Sequence, residues 1–344
     1  MITKKPYFTV IIVAFNSGKY LEECINSLKE QSFKDFEIII FDNGTTDGSI
    51  ERIDLSHINI KFMKSSFNEG FAIGNNKAAR EANGDWLVLL NADAIPQSDW
   101  LSKINIAIHK YPKVAIFGST QVSYYYPEII DGAGDHYHPF GVAWRGGEGY
   151  PVDSISDDLV VLGPCAAAAV YRKDIYQKLN GMAENFFCYY EDVDLALRFR
   201  LDGHLCIQLA DARVKHVGSA TFGIHSDFAR YHVNRNKIWT FIRCIPGPLL
   251  VLLFPGFLTV ILSRLCLSVL SGDFKLRYRA LCDAIIGLPE AWNQRRLIQR
   301  HRKISLVKFG AAMTWSFGKL LMRASDGRVV PETLQVHSTK QTDA

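Results

Sequence analysis

The chain has 344 residues, 48% of them hydrophobic and 22% charged, an ordinary globular composition that suits one large or two modest domains. Its seven cysteines are scattered without any CxxC spacing, which argues against zinc and redox motifs and is typical of buried thiols in a reducing compartment. The first residues show no secretory signal, so we expect a cytoplasmic protein.

The first 120 residues alternate strand and helix patterns. Runs of apolar and β-branched residues predict strands at 9–14, 36–41, 58–63, 86–90 and 114–118. Apolar residues at helical spacing predict helices at 19–30 and 72–82, and a third helix that Ser98 caps and that ends at His109. This alternation is typical of a parallel sheet covered on both faces, in which ligands bind at the carboxyl ends of the strands.

Three polar clusters fall at those predicted strand ends, at 15–16, 42–44 and 91–93. Asp42 could accept a hydrogen bond from the N3–H of a pyrimidine, and Phe15 could supply an apolar wall for the ring. Residues 42–44 are also compatible with a plain turn. Gly70 and Gly74 open the helix at 72–82 and would let a phosphate approach its N-terminus, although a simple glycine turn explains them too. Their spacing is not GxGxxG, so a nicotinamide cofactor is poorly supported.

Acidic residues at two places in the chain are candidates for metal binding or catalysis. Asp93 ends a buried strand and, with Asn91, could contribute oxygen ligands to Mg²⁺ or Mn²⁺; it could also cap the turn before Pro96. Glu191 and Asp192 follow an aromatic run at 186–190. Because adjacent residues on a helix face different ways, at most one of them points into a site, and both could be surface charges instead.

Residues 124–158 are rich in glycine and contain His136 and Trp144, which predicts a long loop that binds an acceptor. Residues 159–171 are small and apolar, 172–179 read as a helix, and the acidic cluster opens a helix that continues to 201 and stops at Gly203. His216 follows a strand-like segment and is a candidate further metal ligand, although a lone histidine is more often structural.

The C-terminal third differs in charge and hydropathy. Between Asp211 and Lys308 there are 16 lysines and arginines against 5 acidic residues, which indicates an anionic partner. Residues 245–263 carry no charge and contain three prolines that are expected to interrupt a helix. We favour an interfacial, peripheral membrane segment over a buried helical hairpin, and a full membrane span least.

Taken together, these stretches resemble the family 2 inverting glycosyltransferases, and within them the bacterial rhamnosyltransferase-like members. The resemblance covers about two-thirds of the chain, from Phe8 to Trp239. The matching motifs follow one another at 10–16, 42–44, 70–76, 89–93, 163–166, 191–194, 216–218 and 235–236. The resemblance implies an α/β fold of the glycosyltransferase A type, a Rossmann-like and mostly parallel sheet, to which a helical and partly apolar C-terminal extension is added.

The implied reaction is inverting transfer of a single sugar, of the rhamnose type, from a dTDP- or UDP-sugar to a hydroxyl of a glycan or lipid-linked glycan. Such transfer serves cell-surface polysaccharide biosynthesis, with Mg²⁺ or Mn²⁺ as cofactor, at the inner face of the cell membrane. The Gln-x-x-Arg-Trp motif of processive synthases is absent, which favours single-sugar transfer. We expect a catalytic domain at 1–240, a membrane-associating helical extension at 241–323 and a polar tail at 324–344.

The resemblance also implies roles for individual residues. Asp42 would contact the nucleoside base, Asp93 would hold the metal, and Asp192 would be the catalytic base; His216 matches a position that completes the metal shell in some members. The first Asp of the metal motif is replaced by Asn91. The predicted nucleotide-binding residues are Phe15, Asn16, Asp42, Asn43, Gly70, Asn75, Asn76 and Asn91, with Arg235 for phosphate. The predicted acceptor-binding residues are Asp131, His136, Trp144, Tyr190 and Glu191.

Other classes of protein remain open. A sugar nucleotidyltransferase also binds nucleotides on an α/β sheet, but it needs a glycine- and basic-rich loop after the first strand, and residues 16–19 are too sparse for one. A catalytically weak module that binds a nucleotide sugar is a third interpretation, which Asn91 allows. Nucleic-acid binding is least favoured, because the basic residues adjoin an uncharged apolar run instead of interleaved aromatics.

Overall fold

A computed structural model describes residues 5–54, 59–218 and 226–336. Its strands, in chain order, are β1 (Phe8–Ala14), β2 (Phe36–Asn43), β3 (Ile60–Ser65), β4 (Trp86–Leu90), β5 (Ala94–Pro96), β6 (Ile116–Ser123), β7 (Ile130–Gly132), β8 (Asp135–His138), β9 (Val142–Arg145), β10 (Leu159–Val161), β11 (Ala168–Arg172), β12 (Cys206–His216) and β13 (Arg328–Val329). The helices are α1 (Tyr20–Lys29), α2 (Phe71–Glu81), α3 (Trp100–Lys110), α4 (Lys173–Lys178), α5 (Glu191–Leu201), α6 (Asp227–Cys244), α7 (Gly247–Ser271), α8 (Phe274–Ile286), α9 (Leu288–Arg300), α10 (Leu306–Ala312) and α11 (Phe317–Leu321).

One mixed, mostly parallel sheet organises the molecule, with strand order β13-β10-β12-β6-β11-β4-β1-β2-β3. Strands β3, β2, β1 and β4 run parallel, as does the β6–β12 pair, while β11 is antiparallel to both β4 and β6. Two short strands lie off this path: β5 pairs with β12, and β7 with β6. A separate hairpin, β8–β9, stands beside the sheet. This arrangement confirms the predicted glycosyltransferase A-type fold class.

The sheet is buried on both faces, as the apolar runs predict. Along β1, Val10 and Ile12 pack into one core cluster with Leu21 of α1, whereas Ile11 points to the other face and packs with Ala78 of α2. Because side chains alternate along β1, its residues contribute to two separate hydrophobic cores, one on each face of the sheet.

The C-terminal helices share a third core with α5, a helix that packs on the central sheet. Leu197 of α5 packs there with Phe241 of α6 and Phe257 of α7, and the two phenylalanine rings stack 3.9 Å apart. The predicted domain boundary after residue 240 lies within the continuous helix α6. Strand β13, in the predicted polar tail, pairs with β10 at the edge of the sheet.

Several local expectations were wrong. Ser98 does not cap α3, because the residue at its N-cap is Asp99 and no side chain accepts a capping bond there. Residues 124–158 are not one loop, since they contain β7, β8 and β9. The first residue of the predicted strand at 58–63 lies outside the described residues, and the observed strand begins at Ile60.

Helix α7 also differs from expectation, because the prolines do not interrupt it. Pro246 precedes the helix, Pro248 lies in its first turn, where a missing N–H costs nothing, and only Pro255 is internal. The helix has 25 residues, which gives it a length of roughly 37 Å at about 1.5 Å per residue. In the described part of the chain it is the one helix long and apolar enough to cross a membrane, and little of it is buried. The alternative of a buried hairpin is therefore wrong.

A buried ion cluster joins α5 to α6. Asp194 is fully buried and accepts hydrogen bonds from Arg198 Nε at 2.7 Å and from Cys244 Sγ at 3.4 Å, while Arg243 Nε lies 3.1 Å away. Burial opposes the charged carboxylate, but the two arginines lower the pKa of Asp194 below its usual value. The cluster thus compensates charges that would each be costly alone.

We expect Asp194→Asn to lower the free energy of unfolding by about 3–5 kcal/mol, because it leaves two arginines without their buried partner. The stabilisation should be complete above the unfolded-state pKa of about 3.9 and should disappear as the pH falls through the lowered folded-state pKa. Urea unfolding at several pH values measures both effects. Glu81→Gln is the control, since the Lys61–Glu81 pair is exposed and screened by solvent and should contribute little to stability. Equal losses in the two variants would contradict this account.

Candidate active site

A cavity of about 330 Å³ opens at the carboxyl ends of the parallel strands. It brings together residues from distant parts of the chain, as Asp93 follows β4 and Asp192 lies in the first turn of α5. Of the predicted site residues, those that line it are Phe15, Asn43, Asn91, Asp93, Trp144, Tyr190, Glu191, Asp192 and His216. The other predicted residues, Asn16, Asp42, Gly70, Asn75, Asn76, Asp131, His136 and Arg235, are not part of its wall.

At the end of β2, several polar groups are used by the protein's own loops. Asn43 donates to Asn68 Oδ1 at 2.9 Å and accepts from the backbone N–H of Glu69 at 2.8 Å. Asp42 accepts from the backbone N–H of Thr45 at 2.8 Å. Asn16, at φ 47°, accepts from the backbone of the same loop, at Thr46. These bonds shape the rim of the cavity, and of this group Phe15 and Asn43 face it.

At the start of α2, Phe71 lines the cavity, but the predicted residues Gly70, Asn75 and Asn76 pack against protein instead. Gly70 has φ 96°, and a Cβ there would come within 2.7 Å of the Phe187 ring, so only glycine fits. Asn75 donates to the Phe71 carbonyl at 2.9 Å. Asn76 donates to the Met182 carbonyl at 2.8 Å and accepts from Tyr176 Oη at 2.8 Å. Both amides are thereby satisfied within the fold.

The imidazole of His216 lies between two carboxylates. Strand β5 pairs with β12 so that Ala94 is opposite His216, and this register brings His216 Nε2 to 3.5 Å from Asp93 Oδ1. On the other side, His216 Nδ1 donates to Asp131 Oδ2 at 2.8 Å, and Arg145 donates to the same oxygen at 2.7 Å. Burial disfavours the charged imidazole, but Asp93 and Asp131 together raise the pKa of His216 to about 9. Asp131 therefore orients His216.

These residues fit a divalent cation shared with a ligand. No group of three or more His, Cys, Asp or Glu side chains within the described ranges is arranged to hold a metal alone. One carboxylate and one imidazole nevertheless face the cavity, at Asp93 and His216, and a cation bound there would displace the proton that the raised pKa keeps on His216. The buried Asn91 Oδ1 has no hydrogen-bond partner among the described residues. Mg²⁺ and Mn²⁺ usually take few protein ligands and complete their shell with phosphates and water. A carboxylate behind a ligating histidine is the usual support for such a ligand.

The opposite wall is acidic. Asp192 lies at the N-terminus of α5, where its Oδ1 accepts from Val193 N at 2.8 Å and its Oδ2 accepts from Ala166 N at 3.3 Å. Burial raises the pKa of Asp192, and the two backbone N–H groups and Arg145 oppose that rise. A carboxylate whose pKa lies above its usual value is a stronger base, which suits proton abstraction. The neighbouring Glu191 is buried as well, and burial and the Asp192 charge raise its pKa well above the usual range.

Asp135 is a site residue that the sequence did not reveal. It begins β8, is only 4% exposed and lines the cavity opposite Arg145 in the β8–β9 register. Burial and the nearby Asp192 carboxylate raise the pKa of Asp135 well above its usual value. The only sign of Asp135 in the sequence was an acidic residue in a short segment where polar and apolar side chains alternate. A four-residue strand is too short for that pattern to stand out from a loop.

The turn before α5 is strained. Phe187, Tyr189 and Tyr190 have φ of 69°, 65° and 70°, a region that costs non-glycine residues about 1–3 kcal/mol each. Asn236 holds this turn, because its buried amide nitrogen lies 3.0, 2.9 and 2.8 Å from the carbonyls of Phe186, Cys188 and Tyr189. Tyr190 and Glu191 are thus aimed into the cavity by a side chain from α6.

Three predicted residues support the site from behind its wall. Arg235 donates to the Phe186 carbonyl at 2.9 Å, and its guanidinium lies 4.5 Å from the Trp239 ring, so it reinforces the same turn. His136 packs against Trp144 and accepts from the Asp326 backbone at 3.2 Å, and burial lowers its pKa to about 4. Asp131, as described, positions His216.

Comparisons with known proteins show similarity over part of the chain. Residues 9–179 match the family model described as "Glycosyl transferase family 2". This match supports a family 2 glycosyltransferase domain in that segment. An uncharacterised glycosyltransferase from Haemophilus influenzae is 30% identical over 128 residues, which cover 36% of this chain and 38% of that protein. The putative teichuronic acid biosynthesis glycosyltransferase TuaG from Bacillus subtilis is 32% identical over 109 residues, or 30% of this chain and 42% of TuaG. The chain therefore matches about two-fifths of the length of these relatives.

Solved structures agree in fold beyond the family 2 segment. The mannosyltransferase PcManGT from Pyrobaculum calidifontis, solved with GDP-Man and Mn²⁺, is similar with a TM-score of 0.53 at 18% identity. The similarity covers 90% of this chain and 87% of PcManGT. The similarity in fold thus reaches beyond residues 9–179 into the C-terminal helices.

Proposed function

We propose that this protein transfers a single sugar from a nucleoside diphosphate sugar to a hydroxyl of a glycan or lipid-linked glycan, with inversion at the anomeric carbon. One observation carries the proposal: Asp93 with His216, and Asp192, line two walls of one cavity at the carboxyl ends of the sheet. A cation-binding edge and a half-buried base, separated by an open space, are the parts that a displacement at a sugar carbon requires. The similarity to TuaG supports a role in cell-surface polysaccharide biosynthesis.

In this proposal, the donor's diphosphate lies along the edge formed by Asp93 and His216. A divalent cation bound there would offset the negative charge that builds up on the leaving diphosphate. Phe15 and Asn43 face the nucleoside, and Asp42 supports it from the rim, which suits a pyrimidine donor such as dTDP- or UDP-sugar. A rhamnose-type sugar rests on the sequence resemblance alone.

Asp192 accepts the proton of the acceptor hydroxyl. As the acceptor oxygen forms its bond to the anomeric carbon, the bond from that carbon to the diphosphate breaks on the opposite side. The proton passes to the Asp192 carboxylate, whose raised pKa favours this transfer. Trp144 and Tyr190 give the acceptor an aromatic wall, and Glu191 and Asp135 add carboxyl groups able to donate hydrogen bonds to sugar hydroxyls, since burial raises the pKa of both.

We also propose peripheral attachment to the inner face of the cell membrane. Helix α7 exposes large apolar side chains, among them Val251, Leu252 and Leu270 at 77%, 70% and 86%. Basic side chains of α8 follow it directly, at Lys275 and Arg279. Exposed apolar surface beside positive charge is suited to anionic lipid headgroups over an acyl layer.

We expect Asp192→Asn to lower transfer by about 10²–10⁴-fold, because general base catalysis contributes about that much. Donor binding should be unchanged. Asp135→Asn is the matched control in the same cavity, and it should change the rate far less, since burial already favours its neutral form. Release of nucleoside diphosphate on adding an acceptor measures turnover, and a thermal shift measures donor binding. Turnover of Asp192→Asn at the wild-type rate would contradict the base assignment, and release of pyrophosphate would indicate a nucleotidyltransferase.

We expect the double variant Val251→Glu, Leu252→Glu to bind anionic vesicles at least about tenfold more weakly than wild type, since burying one such side chain is worth about 1.5–3 kcal/mol. Cosedimentation at low salt measures the affinity. Ile106→Glu is the control, because Ile106 is 62% exposed on α3, far from α7 in sequence. Absence of vesicle binding by the wild-type chain, or equal loss in the control, would contradict membrane attachment through α7.

A further inference from the structure

A second, smaller cleft lies between α6, α7 and α8, outside the active-site cavity. Its walls include Asn234 and Lys237 of α6, Arg264 and Leu265 of α7, and Arg277 of α8. The enclosed part is about 20 Å³, enough for one water-sized atom. An anion at this cleft would place one oxygen inside and the rest at the mouth.

Lys237 is the unusual feature of this cleft. The residue is only 3% exposed, and its ammonium donates to Asn234 Oδ1 at 2.8 Å. Among the described residues, no carboxylate lies within ion-pair distance of it. Burial, together with the positive charges of Arg264 and Arg277, lowers the pKa of Lys237 to about 7. A buried cation among other cations is costly unless an anion joins it.

The neighbouring side chains leave the cleft with excess positive charge. Arg277 donates to Asp273 at 2.8 Å, and Arg230 reaches the same carboxylate at 3.5 Å. Arg264 is exposed on α7 and has no carboxylate partner in the described part of the chain. The walls therefore carry three cations, of which one is paired. Groups of this type, especially arginine, recognise phosphate.

The cleft adjoins the active site. Val233, four residues before Lys237 on α6, lines the active-site cavity, so the two lie about 6 Å apart along the helix axis. A ligand could place its phosphate in the cleft and its sugar in the cavity.

The cleft also adjoins the exposed apolar surface. Its walls include Ile261 and Leu265 of α7, the helix that exposes Leu262, Leu267 and Leu270 on its other sides. A phosphate with a long apolar chain would match positive charge and apolar surface at the same place.

We propose that this cleft binds the phosphate of the lipid that carries the acceptor glycan, with its apolar chain along α7 and its first sugar in the active-site cavity. The inference rests on the proposed transfer to a lipid-linked acceptor and gives that acceptor a recognition site. In this proposal, Lys237 and Arg264 are the residues that bind the phosphate.

The test uses the full chain and neutral phosphatidylcholine vesicles that contain a small fraction of a long-chain polyprenyl phosphate. Comparison vesicles carry phosphatidylglycerol at the same total negative charge. We expect wild type to prefer the prenyl phosphate vesicles by about tenfold or more, which is what one or two charged hydrogen bonds provide. Arg264→Gln and Lys237→Met should abolish that preference. Arg296→Gln should retain it, since Arg296 is an exposed arginine on α9 that does not line the cleft.

Equal affinity of wild type for the two vesicle types would overturn the proposal, as would equal loss in Arg264→Gln and Arg296→Gln. Competition by millimolar inorganic phosphate as effective as that by the lipid would show a free-phosphate site instead. Transfer to a water-soluble acceptor glycan separates this proposal from the proposed function. Arg264→Gln should keep that activity, and its absence from wild type would count against the transferase function and not against the cleft.

Discussion

The site depends on one contact between distant parts of the chain, the placement of the His216 imidazole between the Asp93 and Asp131 carboxylates. Two short strands create it, because β5 pairs with β12 while β7 pairs with β6. Since Nδ1 donates to Asp131, Nε2 is left to face Asp93 and the cavity. The edge at which a diphosphate and its cation would be held is thereby oriented before any ligand arrives.

Two aspartates at the start of α5 lie in opposite environments: Asp192 lines the cavity, and Asp194 contributes to the stability of the fold. Asp192 faces the cavity, whereas Asp194, two residues on, points to the opposite side and joins Arg198 and Arg243 in the core. Residues two apart on a helix lie about 200° apart, so their environments are opposite. Burial raises the pKa of the first, while paired arginines lower the pKa of the second. The Asp194 carboxylate, which the two arginines compensate, therefore holds α5 in place. The same helix carries Asp192, whose carboxylate has no such compensation.

Sequence patterns predicted the long elements and the residues at strand ends, because buried strands and amphipathic helices impose their own periodicity. The strands at 9–14, 36–41 and 86–90 and the cavity residue Asp93 are of this kind. Asp192 was predicted instead from its place after an aromatic run and from the family resemblance. Asn76 and Arg235 have the chemistry of ligand-binding residues, but tertiary partners that no local pattern reveals engage both. Asp135 and the hairpin that bears it were missed because strands of three or four residues carry too little periodicity. Asn236, matched only as part of a motif, proved to hold a strained turn.

Binding of Mn²⁺ in the presence of UDP or dTDP, followed by electron paramagnetic resonance, tests most directly whether the Asp93 edge and Asp192 have separate roles in one cavity. The account predicts that Asp93→Asn weakens nucleotide-dependent Mn²⁺ binding by at least about tenfold, as loss of a ligating or supporting group does. Asp192→Asn should bind Mn²⁺ and nucleotide as wild type does. Unchanged binding by Asp93→Asn, or loss of binding by Asp192→Asn, would contradict the central claim.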